Sequence, residues 1–269
     1  MPNRAGTKGI LYPISRDERF AFARHPPSSD LAFWIDWYWI VRWDLAGQEP
    51  RTQETIPHPS VNLVFEKDAS GVFGVATRKF TRVLADAGLV FGIKFRPGAF
   101  HSFTASPVSD LTDSSRAVLE DFGVDDRVLE TEVLTAESDT AMIDVVERFL
   151  RAHTPEKDNT VVTVNSVVDY IVAHREVTRV EELARQFGMS TRMLQRLFSR
   201  CVGVSPKWVI RRYRLQEAAE QLSGGAVADW SGLALNLGYF DQAHFINDFR
   251  SLIGLSPAEY ARRARSKIQ

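Results

Sequence analysis

The chain has 269 residues, 44% hydrophobic and 25% charged, the balance of a globular protein with room for one or two domains. Its formal net charge is −1, and its single cysteine, Cys201, excludes an internal disulfide and a cysteine-built zinc site and fits a reducing cytoplasm. The N-terminal MPNRAGTKGILYPISRDERF lacks the apolar run of a secretory signal, and no stretch approaches the ~18 apolar residues of a membrane span.

The small net charge conceals two unlike halves. Residues 161–269 carry 15 Lys and Arg against 10 Asp and Glu, whereas residues 1–160 carry 18 against 24. A basic C-terminal part suits nucleic acid, and phosphates would repel the acidic part. Because the excess is modest, affinity for DNA has to come from the placement of a few arginines.

Residues 1–30 are weakly periodic and predict an N-terminal arm. Phe33–Trp43 (FWIDWYWIVRW) alternates and is aromatic and β-branched, so it predicts a strand with Phe33, Ile35, Trp37, Trp39, Val41 and Trp43 on one face. Further strands are predicted at 61–65, 71–76, 79–84 and 89–96, with turn residues Asp68, Gly71, Asp86 and Gly88 between them. Short strands at this spacing suggest a sandwich or small barrel. Helical patterns follow at 113–122, 125–134 and 138–152, and HTPEKDN (153–159) reads as a linker.

An aromatic strand is more often core than the wall of a pocket. In the second case Trp37, Trp39, His58, Asn62 and Arg96 would line a small-molecule cavity, an apolar space with a few convergent polar groups. A barrel filled by its own side chains would exclude it, and Arg96 could instead be a structural ion-pair partner. His25, His58 and His101 stand apart in sequence, so neither metal nor cofactor is expected.

Residues 161–173 predict a helix with an apolar face. Val180–Phe187 is a short helix with Val180, Leu183, Ala184 and Phe187 on one side, ended by Gly188. Ser190 is a good N-cap for a helix to about Arg200 that buries Leu194, Leu197 and Phe198. The pattern recurs about 50 residues later: Gly188 matches Gly238, Leu194 Phe245, Phe198 Phe249, Gly203 Gly254, and Ser205-Pro206 matches Ser256-Pro257. Each unit is a helix, a glycine turn and a second helix with a polar face, a helix-turn-helix. Pro206 opens a helix between them, reaching Leu222 and ~25 Å long.

These residues, with RLQEAAEQL in the joining helix and GYFDQ before Phe245 and Phe249, resemble the DNA-binding domain of the AraC family of bacterial transcription regulators. The segments PSVNLVF and GIKFRPGAF are similar to the cupin-like N-terminal domain of one group in that family. The resemblance implies an α+β chain of two domains. A β-rich, cupin-like barrel with trailing helices for sensing or dimerisation would occupy 31–155. An all-α double helix-turn-helix domain would occupy 160–269.

By the same resemblance Arg192, Gln195 and Arg196 would face base edges, with Ser190, Thr191, Ser199 and Arg200 nearer phosphate. In the second unit Gln242, Ala243, His244 and Asn247 would face DNA, with Arg250 towards phosphate. Arginine suits guanine and glutamine suits adenine by bidentate pairing. Asp241 fits an N-cap, but Asp248 would sit awkwardly near phosphate, so the second unit is expected to bind less tightly. Some of Arg211, Arg212 and Arg214 are expected to pair with Glu217 and Glu220, and Trp208, Tyr213, Trp230 and Phe240 to be core.

The expected partners are double-stranded DNA and a small-molecule effector, with RNA polymerase and a second copy of the chain as further candidates. An effector-free regulator stays open. An enzyme is disfavoured, because no Gly-x-Ser-x-Gly elbow, Walker loop or His-Glu-x-x-His helix is present.

Overall fold

The computed structural model describes residues 10–11, 19–223 and 230–265. Its N-terminal part is built from nine antiparallel strands among the described residues: β1 (Ile10–Leu11), β2 (Phe20–His25), β3 (Ile35–Leu45), β4 (Arg51–Thr55), β5 (Asn62–Glu66), β6 (Gly71–Phe73), β7 (Phe80–Leu84), β8 (Asp86–Phe95) and β9 (Ser115–Arg116). They form a six-stranded sheet in the order β2-β3-β8-β5-β6-β9 and a three-stranded sheet in the order β1-β4-β7. Asp86, at φ 52°, lets the chain leave the small sheet and enter the large one within two residues. Leu84 clusters there with Trp43, Leu45 and Val90, so the two sheets meet.

Two strands correct the sequence reading. Phe20–His25, expected within a loose arm, is the edge strand β2, each residue paired with β3 from Phe20↔Trp43 to His25↔Tyr38. Arg51–Thr55 has no apolar residue to signal a strand, yet β4 pairs with β7 through its backbone. The rest of the expected arm lies largely outside the described residues.

The aromatic strand also departs from simple alternation. The β3–β8 register shifts between Ile35 and Trp37, a bulge at Asp36. Ile35 therefore joins Tyr38, Ile40, Leu63, Phe91, Ile93 and Phe95 against the trailing helices, while Trp37, Trp39 and Val41 take the opposite face. On that face Trp39 lies over Gly92 and Trp43 over Gly88: a Cβ at these glycines would stand 1.9 Å and 2.1 Å from the indole rings. Replacing Gly92 by valine is thus expected to expel the Trp39 ring and its 3.2 Å bond to Asn62. Overpacking of this kind costs about 1–3 kcal/mol, and urea unfolding with tryptophan emission reads both effects.

The helices are α1 (Val118–Phe122), α2 (Asp126–Leu134), α3 (Asp139–His153), α4 (Asn159–Ala173), α5 (Val180–Gln186), α6 (Thr191–Cys201), α7 (Pro206–Ser223), α8 (Trp230–Asn236), α9 (Gln242–Ile253) and α10 (Pro257–Arg265). The pattern at 113–122 yields only the short α1, because Asp113 sits at φ 57° and Ser115–Arg116 pairs with β6. Helices α1–α3 cover one face of the large sheet through Phe122, Leu129, Val133, Met142, Val146 and Leu150. Helices α4–α10 share a second core centred on Leu194, Phe198, Val209, Leu215, Phe245 and Phe249. No described helix is long and apolar enough to cross a membrane.

The second core is not confined to the helices, for Ile56 and Val75 of the β-rich part belong to it. Polar bonds reinforce the contact. Trp208 Nε1 donates to the Thr77 carbonyl at 3.3 Å, Thr112 Oγ1 donates to the Gly203 carbonyl at 2.6 Å, and Asn165 Nδ2 donates to the Pro97 carbonyl at 3.0 Å. The two parts are therefore packed against each other along α4, α6 and α7.

Candidate nucleic-acid interface

The repeat becomes a repeated geometry. Gly188 and Gly238 hold φ 64° and 69°, a conformation that favours glycine. Around them Met189 N donates to the Ala184 carbonyl, and Tyr239 N to the Ala234 carbonyl, both at 2.9 Å. Ser190 then caps α6 by accepting from Met193 N at 3.2 Å, and Asp241 caps α9 by accepting from His244 N at 2.7 Å. Leu194 and Phe198, like Phe245 and Phe249, are fully buried. Gly203 and Gly254 end the two helices at φ 92° and 83°, and Ser205-Pro206 and Ser256-Pro257 start the next ones.

With those positions turned inward, the remaining face of each helix is open. On α6, Arg192, Gln195, Arg196, Ser199 and Arg200 are exposed, as is Ser190, and Thr191 is half-buried. On α9, Ala243, His244, Asn247 and Arg250 are exposed and Gln242 is half-buried. Arg196 and Arg200 also border a groove of about 550 Å³ shared with His101 and Asp158.

Helix α7 shows what the sequence did not. The pairs expected with Glu217 and Glu220 give way to three separate tasks. Arg211 reaches Asp248 on α9 at 3.2 Å, and Tyr239 donates to the same carboxylate at 3.2 Å. Asp248 is thus turned towards α7, and its charge is met by Arg211 instead of standing bare beside phosphate. Arg214 lies 4.5 Å from the Tyr239 ring centre. Arg212 is fully buried and donates to the Pro57 carbonyl at 2.7 Å and to His58 at 3.3 Å. Glu217 instead faces Arg175 at 3.7 Å.

Trp208 is buried as expected and Tyr213 packs against the core, but Phe240 is 93% exposed. The adjacent Tyr239 takes the inward position after the glycine turn, and Phe240 points away before Asp241 caps α9. The side chain of Trp230 lies outside the described residues.

In the β-rich part, Trp37, Trp39, His58 and Asn62 do come together. Trp37 packs edge-on to His58 with ring centres 6.5 Å apart, and Trp39 Nε1 donates to Asn62. Arg96 does not join them. It follows the last residue of β8 and donates to Asn165 at 3.3 Å and to the Ala32 carbonyl at 3.5 Å, so it fastens α4 to the sheet. Pairing of Trp37 with Lys94 and of Trp39 with Arg24 and Gly92 adds two cations on that face. The sequence signal was there: Lys94 lies two residues from Gly92 in an alternating strand.

Lys94 is 6% exposed, 3.3 Å from Asp36, and 3.7 Å from the Trp37 ring centre. Burial pushes its pKa down to about 8, against the opposing pull of Asp36 and with help from Arg212 and Arg24. Burial and the same cations hold His58 well below the ordinary histidine value, and therefore neutral. The native state thus releases the Lys94 proton near pH 8, whereas the unfolded chain keeps it to about 10.4. Across that window stability rises with pH, by about 1.4 kcal/mol per unit. Urea unfolding of wild type relative to Lys94→Met is expected to show this slope; a flat difference would mean that Lys94 stays charged in the fold.

Comparison with known proteins bears on both parts. A helix-turn-helix domain family matches residues 183–263, and a domain of unknown function (DUF6597) matches residues 23–116. An uncharacterized HTH-type transcriptional regulator of Haemophilus influenzae is 35% identical over 81 residues, 30% of this chain and 27% of that protein. The XylDLEGF operon transcriptional activator 1 of Pseudomonas putida is 33% identical over 90 residues, again 27% of that protein. The chain thus spans about a quarter of the length of these curated relatives. A crystal structure of a probable AraC family transcriptional regulator from Rhodopseudomonas palustris is 34% identical, with 38% of this chain covering 97% of that one at a TM-score of 0.36. Residues 183–263 thus match a helix-turn-helix domain family and resemble the corresponding part of these transcription regulators.

Proposed function

We propose that the chain is a sequence-specific DNA-binding transcription regulator, acting in the cytoplasm by binding and not by turnover, and controlled by a small molecule on the Trp37–Trp39 face. One observation carries the reading: two capped helices, α6 and α9, each present an open polar face opposite a fully buried one. The 18-residue α7 between them spans ~27 Å, so that with the helix widths added the two faces suit successive major grooves ~34 Å apart.

In this reading Arg192, Gln195 and Arg196 meet base edges, and Ser190, Thr191, Ser199 and Arg200 lie nearer phosphate. Gln242, Ala243, His244, Asn247 and Arg250 form the second, weaker contact. The acidic β-rich part, which phosphate repels, is the surface for a second copy or for RNA polymerase. Selection from randomised duplex DNA with the full chain tests the reading. Enrichment of one motif is expected; recovery of unrelated sequences would contradict it.

A further inference from the structure

The turns of the two helix-turn-helix units differ in length by one residue, and that residue is Phe240. The first unit goes from its turn glycine to its helix cap in two residues, Gly188 to Ser190, and the second in three, Gly238 to Asp241. Met189 and Tyr239 hold the same place in both turns, each donating its backbone N–H to an alanine carbonyl of the preceding helix, Ala184 or Ala234. Both point inward, Met189 packed against the helical core and Tyr239 buried in it. Phe240 is therefore the added residue. The residue before a helix cap commonly packs on the fourth residue of the helix, here Phe245. Tyr239 already fills that role, with its ring centre 5.4 Å from that of Phe245. Phe240 is left 93% exposed, the most of any large apolar side chain among the described residues. A lone exposed apolar residue is ordinary on a surface. This one is set by an added residue at the leading end of α9, the end of a recognition helix that meets base edges.

The rest of that end lacks the chemistry for guanine. Guanine is met by arginine or lysine in bidentate contact, and α6 offers Arg192 and Arg196 for it. Residues 241–249 hold neither lysine nor arginine, and Arg250 comes only in the last turn of α9. The open positions before it are Ala243, His244 and Asn247. His244 is drawn aside: its ring stands edge-on to Tyr239 at 5.2 Å, and its Nε2 lies 3.6 Å from Asp248. Asp248 is engaged in turn by Arg211. The leading part of this face is therefore apolar, formed by Phe240 and Ala243, with Asn247 further along the helix. Phenylalanine and alanine are side chains that contact the 5-methyl group of thymine, and asparagine suits adenine.

We propose that the second unit recognises A·T pairs, with Phe240 as a specificity-determining residue whose ring packs on the 5-methyl group of a thymine in the major groove. The inference rests on the DNA-binding reading above and adds a residue outside the face assigned there to α9. It gives a cation-poor unit a way to discriminate. A methyl contact needs no charge, so α6 supplies the salt-dependent hold and α9 a preference that salt changes little.

The test uses the full chain and the duplex it selects from randomised DNA. Each thymine is replaced in turn by deoxyuridine, which removes the 5-methyl group and keeps the base pairing. Affinity by fluorescence anisotropy is compared for wild type, Phe240→Ala and Phe240→Leu, with thermal melting to confirm that loss of an exposed ring leaves the fold intact. In wild type at least one replacement is expected to weaken binding about fourfold, the loss of one buried methyl group. Phe240→Ala should bind the parent duplex more weakly by at least as much and be indifferent to that replacement, whereas Phe240→Leu stays sensitive to it. The proposal is overturned if no thymine distinguishes wild type from Phe240→Ala. Unchanged affinity and an unchanged motif in Phe240→Ala would overturn it too, and would make the exposed ring a contact for another protein. A motif recovered alongside either result leaves the regulator standing without the thymine contact, whereas the absence of any selected motif overturns both.

Discussion

Truncating Phe249 to alanine is expected to disable one half of the DNA interface and leave the other working. Phe249 is fully buried, with edge contacts to Phe245 and Tyr260 at ring separations of 5.7 Å. Losing a buried phenylalanine typically costs about 3–5 kcal/mol. That loss falls on α8–α10, whose footing is mostly their own core and α7. The first unit has other anchors. Gly203, at the end of α6, accepts from Thr112, and Trp208, at the start of α7, donates to Thr77. Urea unfolding of Phe249→Ala should therefore show an early transition. Its footprint should lose one protected segment and keep the one facing α6. Equal loss of both segments would mean that the units do not fold separately.

The second large effect is on sequence discrimination. Arg196 is exposed on the open face of α6, and its replacement by alanine removes no buried contact. Loss of a bidentate base contact costs about 1–3 kcal/mol, roughly 5- to 150-fold in preference for the selected site over random DNA. Arg200, one turn further along and expected nearer phosphate, should behave differently when changed to alanine. It should weaken all sequences alike and reduce the slope of log affinity against log salt by about 1. Fluorescence anisotropy at several salt concentrations distinguishes the two. Unchanged discrimination in Arg196→Ala would remove α6 from its assigned role.

The parts of this molecule that could be read in its sequence are those whose cause is local. Ser190 and Asp241 cap because a short acceptor before a helix does so wherever it stands, and Gly188 and Gly238 turn because few other residues take their φ. The apolar spacing of Leu194 and Phe198 reappears in Phe245 and Phe249, so one reading served for both units. Strands β3, β5 and β8 announced themselves by alternation. What escaped depends on neighbours far along the chain. β4 is polar throughout and is a strand because β1 and β7 pair with its two edges. The Asp36 bulge reverses Ile35 against Trp37 and is invisible without the β8 register. Arg212 sits between two arginines that meet the second unit, and nothing in the segment RRYR marks it as the one that turns to Pro57 and His58. Phe240 looked like core until Tyr239 occupied that position.

Methylation-interference footprinting of the full chain on its selected site tests the central claim most directly. The account predicts two patches of major-groove guanine and adenine interference on one face of the duplex, ~10 base pairs apart, the stronger facing α6. A single patch, or protection confined to the minor groove, would contradict it.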